Sequence, residues 1–205
     1  MPDISTYTGG IAATNAHLLS LPGGKVLIDA PEGAAAWLAD QKVHIETLIL
    51  THQHFDHVLD AAAIKAQHGC RIYAFAAFSR DLTLERLYGM MTGSSMAVPE
   101  FEVDEILEGR STVEIVNEHW QLYHVPGHSP DSLCFHLERE LLLFGGDVLF
   151  LDGIGRTDFP GGSTRQLLSG IAEKLLPLPD QTRVFPGHGD DTTIGRERME
   201  NPFLT

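Results

Sequence analysis

Thr51-His52-Gln53-His54-Phe55-Asp56-His57 gathers four metal-capable side chains, His52, His54, Asp56 and His57, into one short segment. Before it, residues 43–50 are rich in Ile, Leu and Val and read as a buried strand. After it, Leu59, Ala62, Ala63 and Ala66 fall on one face of a helix over 56–67, and Gly69 is a natural stop. The segment therefore sits where a strand gives way to a helix. His52 and His54 point the same way if the chain stays extended, while Asp56 and His57 open the helix. Imidazole with carboxylate suits zinc, iron or manganese, and the absence of thiolates argues against a structural zinc-finger site. One metal could use the first pair and a second metal the other.

Three further candidates share this setting. His128 lies in Pro126-Gly127-His128-Ser129, past a strand ending at Val125. Asp147 follows Gly145-Gly146 and the apolar run Leu141-Leu142-Leu143-Phe144, and His188 lies in Pro186-Gly187-His188-Gly189, past Val184-Phe185. Glycine lets the backbone turn sharply beside a side chain that must approach a common centre. Strand ends are the expected place for sites in layered α/β folds. Five histidines and two aspartates suffice for two adjacent metals if one carboxylate bridges them, and Asp147, standing alone, is the natural bridge. His17, His44, His68, His119, His124 and His136 read as surface or packed residues. Cys70 and Cys134 lack C-x-x-C spacing and read as buried small hydrophobes.

Outward from these motifs, residues 26–28 form a strand ending at Asp29, and 71–75 another. Residues 81–88 read as helical and 89–99 as a loose stretch. Strands follow at 112–116, 120–125, 133–137 and 141–144. Ser163-Thr164-Arg165-Gln166 has the S-x-x-Q form of a capping box, opening a helix to about 176 that Pro177 and Pro179 close before a strand at 183–185. Interleaved strands and helices with hairpin-like neighbours indicate a mixed α/β chain, and without a Pro/Gly/Ser-rich linker residues 1–205 read as one domain.

The 14 Lys plus Arg against 28 Asp plus Glu give a net charge of −14, which makes nucleic acid a poor partner. Two divalent ions would bring it only to about −10. No apolar run approaches the roughly 20 residues of a membrane span. Met1-Pro2-Asp3-Ile4-Ser5 has no basic or apolar region of a secretory signal, and two cysteines suit a reducing compartment, so the expected location is cytoplasmic.

With these residues in place, the chain resembles the metallo-β-lactamase-fold hydrolases, from the H-x-H-x-D-H segment through the later His, Asp and His in order. The resemblance implies an α/β (α+β) architecture, a four-layer αβ/βα sandwich with the metals at one edge of the sheets. It implies that His52, His54 and His128 hold one metal and Asp56, His57 and His188 the second, with Asp147 bridging. Asp29 is similar to the family's aspartate that steadies the ligand loop. Within the family the likeness is to the glyoxalase II-like branch, through Gly155-Arg156-Thr157-Asp158-Phe159-Pro160, Pro186-Gly187-His188-Gly189 and Glu197-Arg198-Met199-Glu200-Asn201-Pro202-Phe203. Asp147 stands where β-lactamases of this fold commonly have Cys, which argues against antibiotic hydrolysis. Histidines in place of the Glu-containing pattern argue against the flavodiiron branch.

Departures concern the substrate. The chain stops at Thr205 without the helical C-terminal region that helps full-length glyoxalase II bind glutathione. Arg156 stands for the Lys of the glutathione-contacting loop, Asp158 for a nearby Tyr, and Asp190 for the Tyr after the last ligand. Arg156 is then the candidate contact for an anionic substrate group.

The implied reaction is hydrolysis of a thioester such as S-lactoylglutathione by a hydroxide shared between two divalent ions, zinc first, with iron or manganese as alternatives. Asp56 and Asp147 would orient that hydroxide and accept its proton. A thiolate leaves without a general acid, since free thiols have pKa near 8.5. The expected partner is a small-molecule thioester, with neither nucleic acid nor membrane. Rival readings are a mononuclear iron persulfide dioxygenase using His52, His128 and Asp147, a lactone or phosphodiester hydrolase, and a metal-binding module without activity. Gly89-Met90-Met91-Thr92-Gly93-Ser94-Ser95-Met96 could supply a flexible apolar wall to the substrate pocket.

Overall fold

A strand covered on both faces needs apolar side chains at odd and even positions alike, and several strands of this chain have them. The computed structural model describes residues 2–93 and 95–204. Its first half runs β1 (Asp3–Gly9), β2 (Thr14–Leu21), β3 (Gly24–Ile28), α1 (Ala34–Asp40), β4 (Thr47–Ile49), α2 (Phe55–Val58), α3 (Ala61–His68), β5 (Arg71–Ala74), α4 (Arg80–Thr83), α5 (Glu85–Thr92) and β6 (Glu105–Ile106). The second half runs β7 (Thr112–Ile115), β8 (Glu118–His124), β9 (Leu133–Leu137), β10 (Leu142–Gly146), β11 (Leu149–Phe150), β12 (Gly153–Ile154), α6 (Thr164–Gly170), a π-helical turn at Ile171–Leu175, β13 (Arg183–Pro186), β14 (Thr192–Thr193) and α7 (Ile194–Glu200).

Strands β1 to β6 form one six-stranded sheet in chain order, antiparallel from β1 to β3 and parallel from β3 to β6. The other six-stranded sheet has the order β14-β13-β10-β9-β8-β7. Alternate residues of the central strands divide between layers. Leu27, Leu48 and Ile72 pack under Ala34 and Leu38 of α1 and Ile64 of α3. Their neighbours Ile28 and Ile49 face the second sheet, where they meet Trp120, Phe135 and Phe144. Leu143 and Val184 turn outward onto Leu167, Ile171 and Ile194. The result is the αβ/βα sandwich of four layers.

The sheets also aim the chain. Strand β9 is antiparallel to both β8 and β10, and β10 is parallel to β13, so β8, β10 and β13 all end at one edge. In the first sheet β3 and β4 run parallel and end together, with the start of β2 beside them. Hydrogen bonds join the two edges: Asn15 N donates to Gly187 O at 2.7 Å, Leu133 N to Thr51 O at 2.9 Å, and Thr14 bridges to His188.

Several local expectations shift. Of residues 43–50, only Thr47–Ile49 enter the ladder, although Ile45 is fully buried from the preceding loop. The helix expected over 56–67 is two, because Asp60 is diverted to α1, accepting from Gly33 N and Ala35 N at 2.9 Å each. The helical stretch at 81–88 breaks at Leu84, in the left-handed region with φ 56°, and resumes through Thr92, so residues 89–92 are helix and not loop. Ser163 caps α6 as expected, its Oγ accepting from Gln166 N at 3.3 Å. No described helix is long and apolar enough to cross a membrane.

Candidate metal centre

The common edge collects all seven candidate side chains. His52 and His54 leave the end of β4 extended, Asp56 and His57 start α2, His128 follows β8, Asp147 follows β10, and His188 follows β13. The donor atoms of His52, His54 and His128 lie within 4.8 Å of one another, and so do those of His52, His57 and Asp147, and of Asp56, His57 and His188. Asp147 touches both groups: Oδ1 is 3.3 Å from His57 Nε2, and Oδ2 is 3.4 Å from His128 Nε2 and 3.3 Å from His188 Nε2. Asp56 Oδ2 lies 3.4 Å from His188 Nε2. Gly187 is required at this packing, since a Cβ there would collide with Asp147 Oδ1 and His57 Cε1.

Four rings are held from behind. His57 Nδ1 donates to Asp29 Oδ2 at 2.8 Å, His128 Nδ1 to Arg156 O at 2.8 Å, and His188 Nδ1 to Ala12 O at 3.2 Å. His52 Nδ1 is 3.1 Å from Thr51 Oγ1, which itself donates to Asp29 Oδ2 at 2.8 Å. Each such bond fixes a tautomer and leaves Nε2 facing the centre. Asp29 also accepts from Thr51 N at 2.8 Å, and it adopts φ 61°, a left-handed conformation that Asp tolerates better than most residues. One carboxylate thereby ties β3 to the histidine-bearing turn after β4.

Charge divides the centre in two. Burial pushes His52 well below the ordinary imidazole range and, with His128 beside it, brings His54 down to about 3; burial lowers His128 as well. These three rings are neutral, with lone pairs to offer. Burial also disfavours charge on His57 and His188, yet Asp147, Asp56 and Asp29 hold His57 well above its usual range. Bonds to Asp147 and Asp56 carry His188 up to about 10. Positive charge is therefore favoured between the carboxylates, where protons on two rings occupy ground suited to a cation.

The residues fit a pair of divalent metals on a direct observation. His52 Nε2 is buried, faces the centre and makes no hydrogen bond, and beside it His57 Nε2 and Asp147 Oδ1, also buried, have only each other at 3.3 Å. Leaving His52 Nε2 unpaired would cost about 1–3 kcal/mol, and a cation placed among the three atoms would satisfy it while replacing the proton that His57 and Asp147 share.

Arg156 lies at the mouth of the centre, its backbone holding His128 and its guanidinium paired with Asp158 at 2.7 and 2.6 Å. Two participants carry no signal in the motif itself. Thr14 Oγ1 donates to Asp56 Oδ2 at 2.7 Å, brought there only by the pairing of β2 with β3. Thr51, the first residue of the motif segment, links Asp29 to His52 through a hydroxyl that no metal-ligand pattern would select. Within residues 89–96, Met91 and Thr92 line a cleft beside the centre, whereas Met90 is 78% exposed; Ser94 lies outside the described residues.

A family model described as the metallo-beta-lactamase superfamily matches residues 9–188. Hydroxyacylglutathione hydrolase GloC of Haemophilus influenzae is 33% identical over 189 residues, covering 89% of this chain and 84% of that protein. The crystal structure of BLEG-1 B3 metallo-beta-lactamase is similar with a TM-score of 0.86 and 33% identity, covering 99% of this chain and 100% of that one. TTHA1623 in a di-iron-bound form follows with a TM-score of 0.83 and 33% identity, covering 98% and 100%.

Proposed function

The chain belongs to the metallo-beta-lactamase superfamily and is a metal-dependent hydrolase of that family, and from this we propose that it hydrolyses thioesters, of which S-lactoylglutathione is one, at a two-metal centre. The carrying observation is the buried cluster of His52 Nε2, His57 Nε2 and Asp147 Oδ1, whose ligand atoms lie within 4.8 Å of one another, in a chain 33% identical to a hydroxyacylglutathione hydrolase. In this reading His52, His54 and His128 hold one ion, Asp56, His57 and His188 hold the other, and Asp147 serves both. Zinc is the proposed metal; the di-iron form of TTHA1623 makes iron the alternative to test against it.

When bound, two such ions would acidify a water and polarise the acyl carbonyl. The chain's own part is to orient that water and receive its proton, which falls to Asp56 and Asp147, both anionic at neutral pH because the histidines beside them outweigh burial. The thiolate then departs without a protein acid, its conjugate thiol having a pKa near 8.5. Asp29, Thr51 and Thr14 keep the histidines and Asp56 from turning away.

Metal analysis of the purified chain with thiol-release assays tests the proposal. Two equivalents of zinc or iron with thioester turnover are expected. Asp147→Ala should lower metal content and reduce turnover about 10³-fold or more, as loss of several kcal/mol of metal catalysis implies. Full turnover with two metals in that variant would remove Asp147 from its bridging role. A single iron with oxygen uptake on a persulfide would replace hydrolysis by dioxygenation. The likeness to BLEG-1 favours one second reading, opening of a β-lactam ring by the same centre, which a chromogenic cephalosporin assayed beside the thioesters would reveal.

A further inference from the structure

A cleft of about 210 Å³ opens directly beside the centre, with His54 and Asp56 on its inner side. Its outer wall is Leu84, Leu87, Tyr88 and Met91. These fall at i, i+3, i+4 and i+7, one stripe running from the cap of α5 along its length. An amphipathic helix normally buries such a stripe in the core, but here Leu84, Leu87 and Tyr88 stay half-buried and Met91 is 69% exposed. The Tyr88 ring lies 4.6 Å from that of Phe55 at the floor of the cleft.

On the facing side Arg156 is, among the described residues, the one cation lining the cleft, and its charge is already matched. Asp158 grips the guanidinium with two bonds, and the same group lies 4.0 Å over the Phe159 ring. The cleft thus offers apolar surface up to the reacting position and, among the described residues, no unmatched positive charge to hold a carboxylate or phosphate.

We propose that this cleft takes the acyl chain of the substrate, and that among thioesters it favours uncharged, apolar acyl chains longer than the three-carbon hydroxyacyl of S-lactoylglutathione, which it turns over less efficiently. The inference rests on the thioester reading and specifies its substrate class. Water oxygen adds to the acyl carbon lying beside His54 and Asp56, and the C–S bond breaks. The products are a carboxylate, a free thiol and one proton. Common thiol carriers bear carboxylates or phosphates, which a lining of this kind on a chain of net charge −14 does not attract, so the carrier extends toward solvent.

The test uses the metal-replete full chain and acetyl, butyryl and hexanoyl thioesters of one small uncharged thiol, N-acetylcysteamine. Each methylene buried should raise kcat/KM about fourfold, about 10²-fold across the series, with the gain appearing in KM. Leu87→Asp should bring the hexanoyl-to-acetyl ratio close to one, and Met91→Ala, at an exposed position that folding tolerates, should lower the ratio by a smaller factor. A flat or falling series with active enzyme would overturn this inference and leave the thioesterase reading intact. A gain that follows the length of the thiol and not of the acyl group would overturn it as well. No turnover of any thioester by protein holding two metals would overturn both.

Discussion

Asp29 shows how much a single carboxylate can decide. It receives Thr51 N, Thr51 Oγ1 and His57 Nδ1, all at 2.8 Å, so one residue sets the position of a backbone turn and the tautomer of a proposed ligand. Asp29→Asn keeps the shape but puts an amide N–H where an acceptor is needed. His57 would then carry its proton on Nε2, facing the metals. The expected outcome is a folded protein binding metal about 10–100-fold more weakly, read by competition against a chromophoric chelator. Unaltered affinity would reduce Asp29 to a link between strands. At this scale the sequence was most legible for side chains whose chemistry is local: His52, His54, Asp56 and His57 stand out as candidate ligands by type and spacing, and they lie in the same cluster. Thr14 could not be found that way, since its role depends on the β2–β3 register and not on its neighbours in the chain.

Elements were legible where capping chemistry or strand alternation sets them, and less so where tertiary demands intrude. Leu133–Leu137 forms the strand its pattern predicts, and Ser163 opens α6 with the expected side-chain bond. Replacing that cap, Ser163→Ala, should cost about 1 kcal/mol, a fall in Tm of about 2–4 °C with the metal content unchanged. A drop in metal binding would mean that α6 also props the His128 turn, which Ser163 N does reach through Gly127 O at 2.8 Å. The single helix expected across 56–67 failed for a reason no local pattern contains: Asp60 serves the start of α1. Apolar content likewise overstated β4, because Ile45 is buried without joining a ladder. Strands β1 and β2 were missed altogether; β1 alternates between exposed and half-buried positions and has little apolar pattern to read.

For the molecule as a whole, the centre draws on both sheets. The turn after β4 supplies His52 and His54, and β8, β10 and β13 lead to His128, Asp147 and His188. Ions bound only by the folded chain stabilise it by RT ln(1 + [L]/Kd), about 4 kcal/mol at a thousandfold excess over Kd. Stripping them with a chelator should lower Tm by about 8–16 °C, and restoring zinc should return it. A Tm indifferent to chelation would mean that the sheets hold together without help from the centre. The architecture was legible in outline, since candidate ligands at four strand ends imply a shared edge. The joining of the sheets through Thr14, Asn15 and Gly187 was not, because backbone bonds carry no residue signature.

That division of ligands has a consequence for biosynthesis. A nascent chain that has emerged only through β6 already displays His52, His54, Asp56 and His57, the four candidate ligands nearest in sequence, but not His128, Asp147 or His188, which follow strands of the second sheet. His188 arrives after β13, which must first insert beside β10. On the proposed ligand assignment, tight metal capture therefore has to wait for completion of the second sheet, which makes metal affinity a reporter of the closed chain.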